Sequence, residues 1–426
     1  MVCITLLASA SPPALAQAST NPLTLDDCIR LAQGAASLAG VAKQETQIAD
    51  LGVRQAKAGF LPRSQFDAGF TYNSPLRSDT SLQSYVALNG VREHTYLLSA
   101  LQEIDTSGRL RAELARSRAE RDAAGANVSI SQRDVKRAVT AAYYQLLLAR
   151  HLADALRDSL TEAESFEQRT KLLLANGEAA QADLIKASAE VAQLRQARNA
   201  AELDAELANQ DLASFWTANV GDPLNLVDVF EQSPAPPGFE AFAAASGTNP
   251  FLKRPEFNLL DAERRGFLAE SRRARAELFP QASLGFQYGL DSNFVRARDR
   301  GYAIFVNLNV PVFDWFRTLN SSKQFRVQAE QTDTRRALAE RLFSREYASA
   351  QSRVRKLFDQ IALAAEQVRL AQEDLRLSRI RFEGGEGAAV DVVTAQNQLA
   401  QARTNYYLSL ANYWNARADR EVAVGQ

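Results

Sequence analysis

The chain repeats itself at a spacing of about half its length, and that constrains its fold more tightly than any bulk property. Ala58-Gly59-Phe60-Leu61-Pro62, followed by Phe66, Ala68, Phe70 and Tyr72, returns as Ala276-Glu277-Leu278-Phe279-Pro280, followed by Ala282, Leu284, Phe286 and Tyr288. A second pair lies further on: Gly177-Glu178 with Asp183, Ala187 and Arg195 recurs as Gly385-Glu386 with Asp391, Ala395 and Arg403. Pro62 and Pro280 are 218 residues apart, and Asp183 and Asp391 are 208 apart. Two tandem structural repeats are expected, each with two β-strands and a long antiparallel helical hairpin.

The helical stretches are long. From Ser107 to Leu174 there is no Pro, and Val135, Val139, Ala142, Leu146 and Ala149 recur at helical spacing. About 65 residues at 1.5 Å each make a rod of roughly 100 Å, far beyond an ordinary globular helix. Gly125 and Asn127-Val128-Ser129 are its weakest part, where a kink is expected. The second copy runs from about Arg317 to Arg381, with Phe343, Tyr347, Ala350, Val354 and Leu357 as its stripe. Each rod ends at glycines, Asn176-Gly177 or Gly384-Gly385, and an Ala-rich helix follows each turn. Short connections make those helices antiparallel neighbours. Stripes of alanine bury too little apolar area for such rods to stand alone, so they must pack sideways on further rods.

The strands decide the class. Residues 281–290 read Gln-Ala-Ser-Leu-Gly-Phe-Gln-Tyr-Gly-Leu, apolar at every even position, and Tyr302, Ile304, Val306, Leu308 and Val310 repeat the alternation. With strands at about 64–73, 94–104, 281–290 and 301–312, the chain carries four segments of roughly ten residues with period two, the length and pattern of tilted membrane strands. A soluble sheet with one buried face would look alike strand by strand, but this helical chain offers no surface to cover it. Four strands cannot close on themselves, and open edges in lipid leave backbone groups unpartnered at several kcal/mol each. Three copies would give a shared 12-stranded barrel with an aqueous lumen, continued by an α-helical tunnel. The fold class is therefore mainly α with a small membrane β part.

Several readings are excluded. A net charge of −1, with both signs interspersed over 426 residues, leaves no basic footprint for nucleic acid. No run after the N-terminus is long and uncharged enough for a transmembrane helix. Residues 1–16 resemble a signal peptide ending in Ala14-Leu15-Ala16, atypical in lacking a basic start. It would carry Cys3 away and leave Cys28, which reads as a buried helical thiol. His94 and His151 are the only histidines, so no metal, cofactor or Cys-His catalytic arrangement is expected, and the chain is not read as an enzyme. Residues 218–256 hold six of the thirteen prolines and mark the repeat boundary. The first repeat spans 23–217, with its hairpin over 107–217. A connector fills 218–253, and the second repeat spans 254–422 with its hairpin over 317–420.

The opening Leu23-Thr24-Leu25-Asp26-Asp27, the Arg254-Pro255-Glu256 before the second half, the Phe-Leu-Pro and Leu-Phe-Pro lead-ins, and Gly385 to Gln396 with Asp391-Val392-Val393 resemble the TolC family of outer-membrane efflux proteins. The resemblance covers essentially the whole mature chain. It implies a homotrimeric conduit in the outer-membrane lipid of a Gram-negative cell, docked through a periplasmic adaptor protein onto an inner-membrane pump, and serving drug, metal-ion or type I protein export. It also implies that the hairpin tips form the periplasmic entrance. Asp391 matches the first of two entrance aspartates and Thr394 stands in place of the second, while Asp183 matches a tip residue that holds the closed state. The Tyr and Arg partners of that residue are here Phe382 and Gly387, which puts the family's hydrogen-bonded latch in question for this chain. N-capping after the glycine turns is an equally good reason for both aspartates. Gly177 and Gly385 are expected in left-handed conformations, with Gly384 and Gly387 completing the second turn. The alternative is a soluble periplasmic coiled-coil scaffold or adaptor with a small β-domain.

Overall fold

Uninterrupted runs of Ala, Leu, Glu, Gln and Arg become very long helices. The computed structural model of the chain describes residues 22–34, 36–76, 91–231, 249–292, 294–296, 298 and 300–425. Among these, the order is α1 (Leu25–Gly34), α2 (Leu38–Ala58), β1 (Arg63–Tyr72), β2 (Arg92–Ile104), α3 (Arg109–Ala175), α4 (Gln181–Ala213), α5 (Pro255–Ala276), β3 (Gln281–Ser292), β4 (Gly301–Asn309), α6 (Arg317–Glu383) and α7 (Ala389–Ala423). The leader expected at 1–16 and residues 232–248 of the connector lie outside the described residues. Both α3 and α6 run for 67 residues. Gly125 does not interrupt the helix: α3 stays helical through it. One interior glycine costs about 1 kcal/mol, too little to interrupt a helix of this length. At the other end of the strand pattern, β4 stops at Asn309 rather than near 312, since Pro311 has no N–H to donate.

The described residues divide between two units: those within 1–35, 136–237 and 353–418, and those within 36–135, 238–352 and 419–426. In the first, the centre is made by Val139, Tyr143 and Leu146 of α3, Leu212 of α4, Val354 of α6, and Leu410 and Tyr413 of α7, all fully buried. Helix α1 is capped reciprocally, Thr24 Oγ1 accepting from the Asp27 N–H and Asp27 Oδ2 from the Thr24 N–H, each at 3.2 Å. It buries Cys28, and that burial pushes the thiol up to about 12. The segment before α1 pairs with the connector, Leu23 N–H donating to Asn225 O at 2.7 Å and Val227 N–H to Leu23 O at 3.0 Å. The connector is in turn pinned to α3: the Tyr143 hydroxyl donates to Val227 O at 2.6 Å and Arg150 to Leu224 O at 2.6 Å. Tyr144 and His151, seven residues apart on α3, share Phe230 between them and stack outward on Trp414 and Tyr407, seven apart on α7. Residues at that spacing lie on one helix face, which is why the rings form a ladder.

The second unit holds one antiparallel sheet in the order β1-β2-β3-β4. Its centre joins the two repeats, with Leu98 opposite Tyr288 and Ala100 opposite Phe286, while β1 and β4 are the edges. Helices α5 and α6 are tied by reciprocal hydroxyl–carbonyl bonds between Ser271 and Ser322, both 2.9 Å. Arg254 and Arg133 are buried beside them. Arg254 meets Glu346 at 2.6 Å and Glu256 at 2.9 Å, with its guanidinium 3.7 Å from the centre of the Phe343 ring. Arg133 reaches Glu256 and Asp134, each at 2.8 Å. Burial opposes ionisation of Glu256, but hydrogen bonds from Arg254, from its own backbone and from Arg133 outweigh it and hold the carboxyl below the usual range.

Candidate functional site

Two places carry the residues singled out above: the ends of the helical hairpins in the first unit, and the two faces of the sheet in the second. Both long helices terminate in the same motif. At α3, the Gly177 N–H donates to Leu174 O and the Glu178 N–H to Leu173 O. At α6, the Gly385 N–H donates to Phe382 O and the Glu386 N–H to Arg381 O. This paired bonding satisfies the last carbonyls and puts one residue in the left-handed region. That residue is Gly177, φ 77°, in one hairpin and Gly385, φ 75°, in the other. Open space surrounds both, so the demand there is on backbone conformation alone. Gly387 is different: an added Cβ would lie 3.1 Å from the Phe382 nitrogen and from Arg381 Cβ. Gly384 has neither constraint to the same degree, its nearest neighbour being Ile380 O at 3.4 Å.

Past each turn the chain re-enters a helix at an alanine, which has no side-chain acceptor. The aspartate three residues on supplies one: Asp183 Oδ2 accepts from the Ala180 N–H, and Asp391 Oδ2 from the Ala388 N–H, both at 3.2 Å. An acidic group in a first helical turn is also favoured by the helix dipole. Asp391 is exposed, and Thr394, one turn on, is exposed with its hydroxyl donating to Val390 O at 2.7 Å. Phe382 does not approach Asp183 through any polar contact. It is buried edge-on against Phe166 of α3, ring centres 5.1 Å apart, in an apolar cluster with Ala187 of α4, Leu375 of α6, and Ala389, Val392, Ala395 and Leu399 of α7. All four helices meet in that cluster.

Sequence reasoning missed a set of ionic contacts just above it. Arg403 of α7 and Arg379 of α6 both reach Glu162 of α3 at 3.5 Å, and Arg195 of α4 reaches Glu164 at 2.7 Å. The signal was present, since Arg195 and Arg403 are duplicates of one another, but nothing in the sequence shows that both turn toward α3. Gln396 is buried nearby with neither amide atom hydrogen-bonded.

In the sheet, strand register sorts the side chains into two faces. Phe66, Phe70, Tyr72, Tyr96, Leu98, Leu284, Phe286, Tyr288, Tyr302, Ile304, Val306 and Leu308 lie on one. These are uncovered, Phe66 being 65%, Ile304 66% and Tyr302 75% exposed. The other face carries Arg63, Gln65, Asp67, Thr95, Ser99, Glu103, Ser283, Gln287, Asp291, Asn307 and Asn309. Leu97, Leu101 and Phe305 are the large apolar exceptions on the polar face, the Phe305 ring lying over Gly285 of the paired strand. Between β4 and α6, Phe313, Trp315 and Phe316 are exposed, and Trp315 and Phe316 take φ values of 55° and 61°. Left-handed backbone costs such residues about 1–2 kcal/mol each. Asp314, two residues before this reversal ends, caps α6 by accepting from the Thr318 N–H at 2.9 Å. No helix is long and apolar enough to cross a membrane, and no cluster of three or more His, Cys, Asp or Glu is placed to hold a metal, among the described residues.

The comparisons with known proteins agree with this arrangement. The family model described as outer membrane efflux protein matches residues 31–218 and 252–426, so the chain belongs to that family. No curated protein matches it in sequence. Among solved structures, it is similar to the outer membrane protein VceC of Vibrio cholerae (16% identity, TM-score 0.78, covering 94% of this chain and 96% of that one) and to the CmeC outer membrane channel of Campylobacter jejuni (15%, 0.79, 100% and 94%). It is likewise similar to the open state of the Neisseria gonorrhoeae MtrE outer membrane channel (18%, 0.79, 94% and 88%). At these identities the likeness speaks for the fold. Family and fold together make the chain an outer-membrane efflux channel component.

Proposed function

We propose that the protein acts as a homotrimer whose three sheets close into one 12-stranded barrel, with the long helices as the wall of a periplasmic tunnel. A periplasmic adaptor and an inner-membrane pump would deliver substrates to it. One observation carries this reading: the sheet has two unpaired edges, β1 and β4, and an uncovered apolar face. In lipid the apolar face needs no cover, but every edge N–H and C=O does need a partner. Pairing β1 of one copy with β4 of the next satisfies them all once the ring closes. The exposed rings of Phe313, Trp315 and Phe316 then fall where aromatic side chains favour a membrane–water boundary.

At the hairpin ends, the three Asp391 carboxylates would ring the entrance and favour cations, while still capping α7. In place of a hydrogen-bonded latch at Asp183, the Phe166–Phe382 contact joins the second hairpin to the first. The test is cysteine cross-linking between the edges. Paired cysteines along β1 and β4, oxidised in outer membranes, should give covalent species of two and three chains. A panel covering both strands that yields monomers alone would refute closure by sister copies.

A further inference from the structure

The polar face of the sheet holds a concave site of about 310 Å³ at the end where the strands meet the helices, and its charges do not cancel. Arg63, Leu101, Glu103, Arg109, Asn307 and Asn309 contribute to its walls. Glu103 is already engaged: Arg109 donates to it through Nε at 3.0 Å and through Nη2 at 2.6 and 2.5 Å. Arg63, the first residue of β1, is exposed and has no carboxylate partner among the described residues. What the site offers a solute is therefore one uncompensated guanidinium on β1, with two side-chain amides across the cavity on β4. Guanidinium and amide donors facing one cavity suit a carboxylate, which a guanidinium binds in bidentate fashion.

The rest of that face has the opposite character. Asp67, Glu93 and Asp291 occupy it further from the helices, and Arg63 is the only Lys or Arg at a strand position on it. A single cation on an otherwise acidic surface, placed against an open cavity, calls for a ligand. We propose that Arg63, with Asn307 and Asn309, forms a subsite for the carboxylate of a soluble organic anion in transit. In a closed trimer three such guanidinia would stand at one level of the lumen. The inference rests on the reading that the polar face lines that lumen. Lipid phosphate offers similar chemistry, but lipid faces the opposite side of the sheet.

Planar-bilayer recordings of the full-length channel test this, with citrate as the probe. Wild-type current should be blocked by citrate, and Arg63→Gln should raise the half-blocking concentration about tenfold or more, the worth of one charge-assisted hydrogen bond. Asn307→Leu should weaken block without moving the reversal potential, whereas Arg63→Gln should shift the reversal potential toward cation preference. Should Arg63→Gln give no channels, the comparison passes to Arg63→Lys, which keeps the charge but loses bidentate geometry and should still weaken block. Citrate block that is absent in wild type, or unchanged in these variants, would overturn the subsite while leaving the conduit intact. A shift on Arg63→Gln seen only with anionic lipid and lost in a neutral bilayer would assign the ligand to the membrane instead and overturn it as well. Wild-type protein that conducts nothing would sink the conduit reading, and the subsite with it.

Discussion

Removing the charge of Glu256 isolates what holds the start of the second repeat together. Glu256→Gln keeps the size of the side chain and one acceptor, yet leaves Arg133 and Arg254, both buried, without their shared counter-ion. Breaking a buried ion pair costs about 3–5 kcal/mol. Here each arginine retains a second carboxylate, Asp134 at 2.8 Å and Glu346 at 2.6 Å, so the expected loss is at or below the lower limit, about 2–3 kcal/mol. Native-state hydrogen exchange reads this locally: amides in the first turns of α5 and around Arg133 should exchange roughly thirty- to a hundred-and-fiftyfold faster. The pH dependence follows from the depressed carboxyl. A group whose folded pKa is lowered stabilises fully above its unfolded value, about 4.3 for glutamate, and that contribution is lost as pH falls through the lower folded value. Wild-type protection in this region should therefore decline more below about pH 4.3 than the variant's does. An exchange change under about twofold in Glu256→Gln, or the same acid decline in both proteins, would refute the reasoning.

Three further outcomes are expected. Asp391→Asn retains an acceptor for the Ala388 N–H while deleting the charge, so helix α7 should persist and cation selectivity and multivalent-cation block should fall in bilayer recordings. Unchanged selectivity would leave Asp391 a cap and nothing more. Phe382→Ala removes a buried ring from the cluster shared by four helices, at a cost of about 3–5 kcal/mol, and should raise resting conductance together with exchange at the hairpin ends; a channel as quiet as wild type would mean the apolar contact holds nothing shut. Gln396→Leu replaces an amide with two unpartnered atoms by an apolar side chain of similar volume, and should slow local opening by about 1 kcal/mol, whereas faster exchange would show that the amide is satisfied.

Much of the architecture was legible because two periodicities are hard to confuse over long segments. Ten-residue alternation at 281–290 can only place Leu284, Phe286 and Tyr288 on one face, and the register puts them there. Asp105 and Asp314 stand at matching places just before α3 and α6, where a capping acceptor belongs, and both side chains accept from first-turn amides. What stayed hidden depends on distance in sequence. Arg133 and Glu256 are 123 residues apart, so no local pattern announces their pair. Phe166 gave no sign that it would meet Phe382, because apolar residues on a long stripe have several equivalent partners until the helices are in register. Gly125 is the converse case: a local weakness of about 1 kcal/mol that a 67-residue helix runs through without interruption.

The claim that matters most is that identical copies complete the sheet. Native mass measurement of the purified, detergent-solubilised protein tests it most directly. A mass of three chains that falls apart only on heating in denaturant is the result this account requires. A single chain of 46.8 kDa, stable and monodisperse in plain buffer, would contradict it.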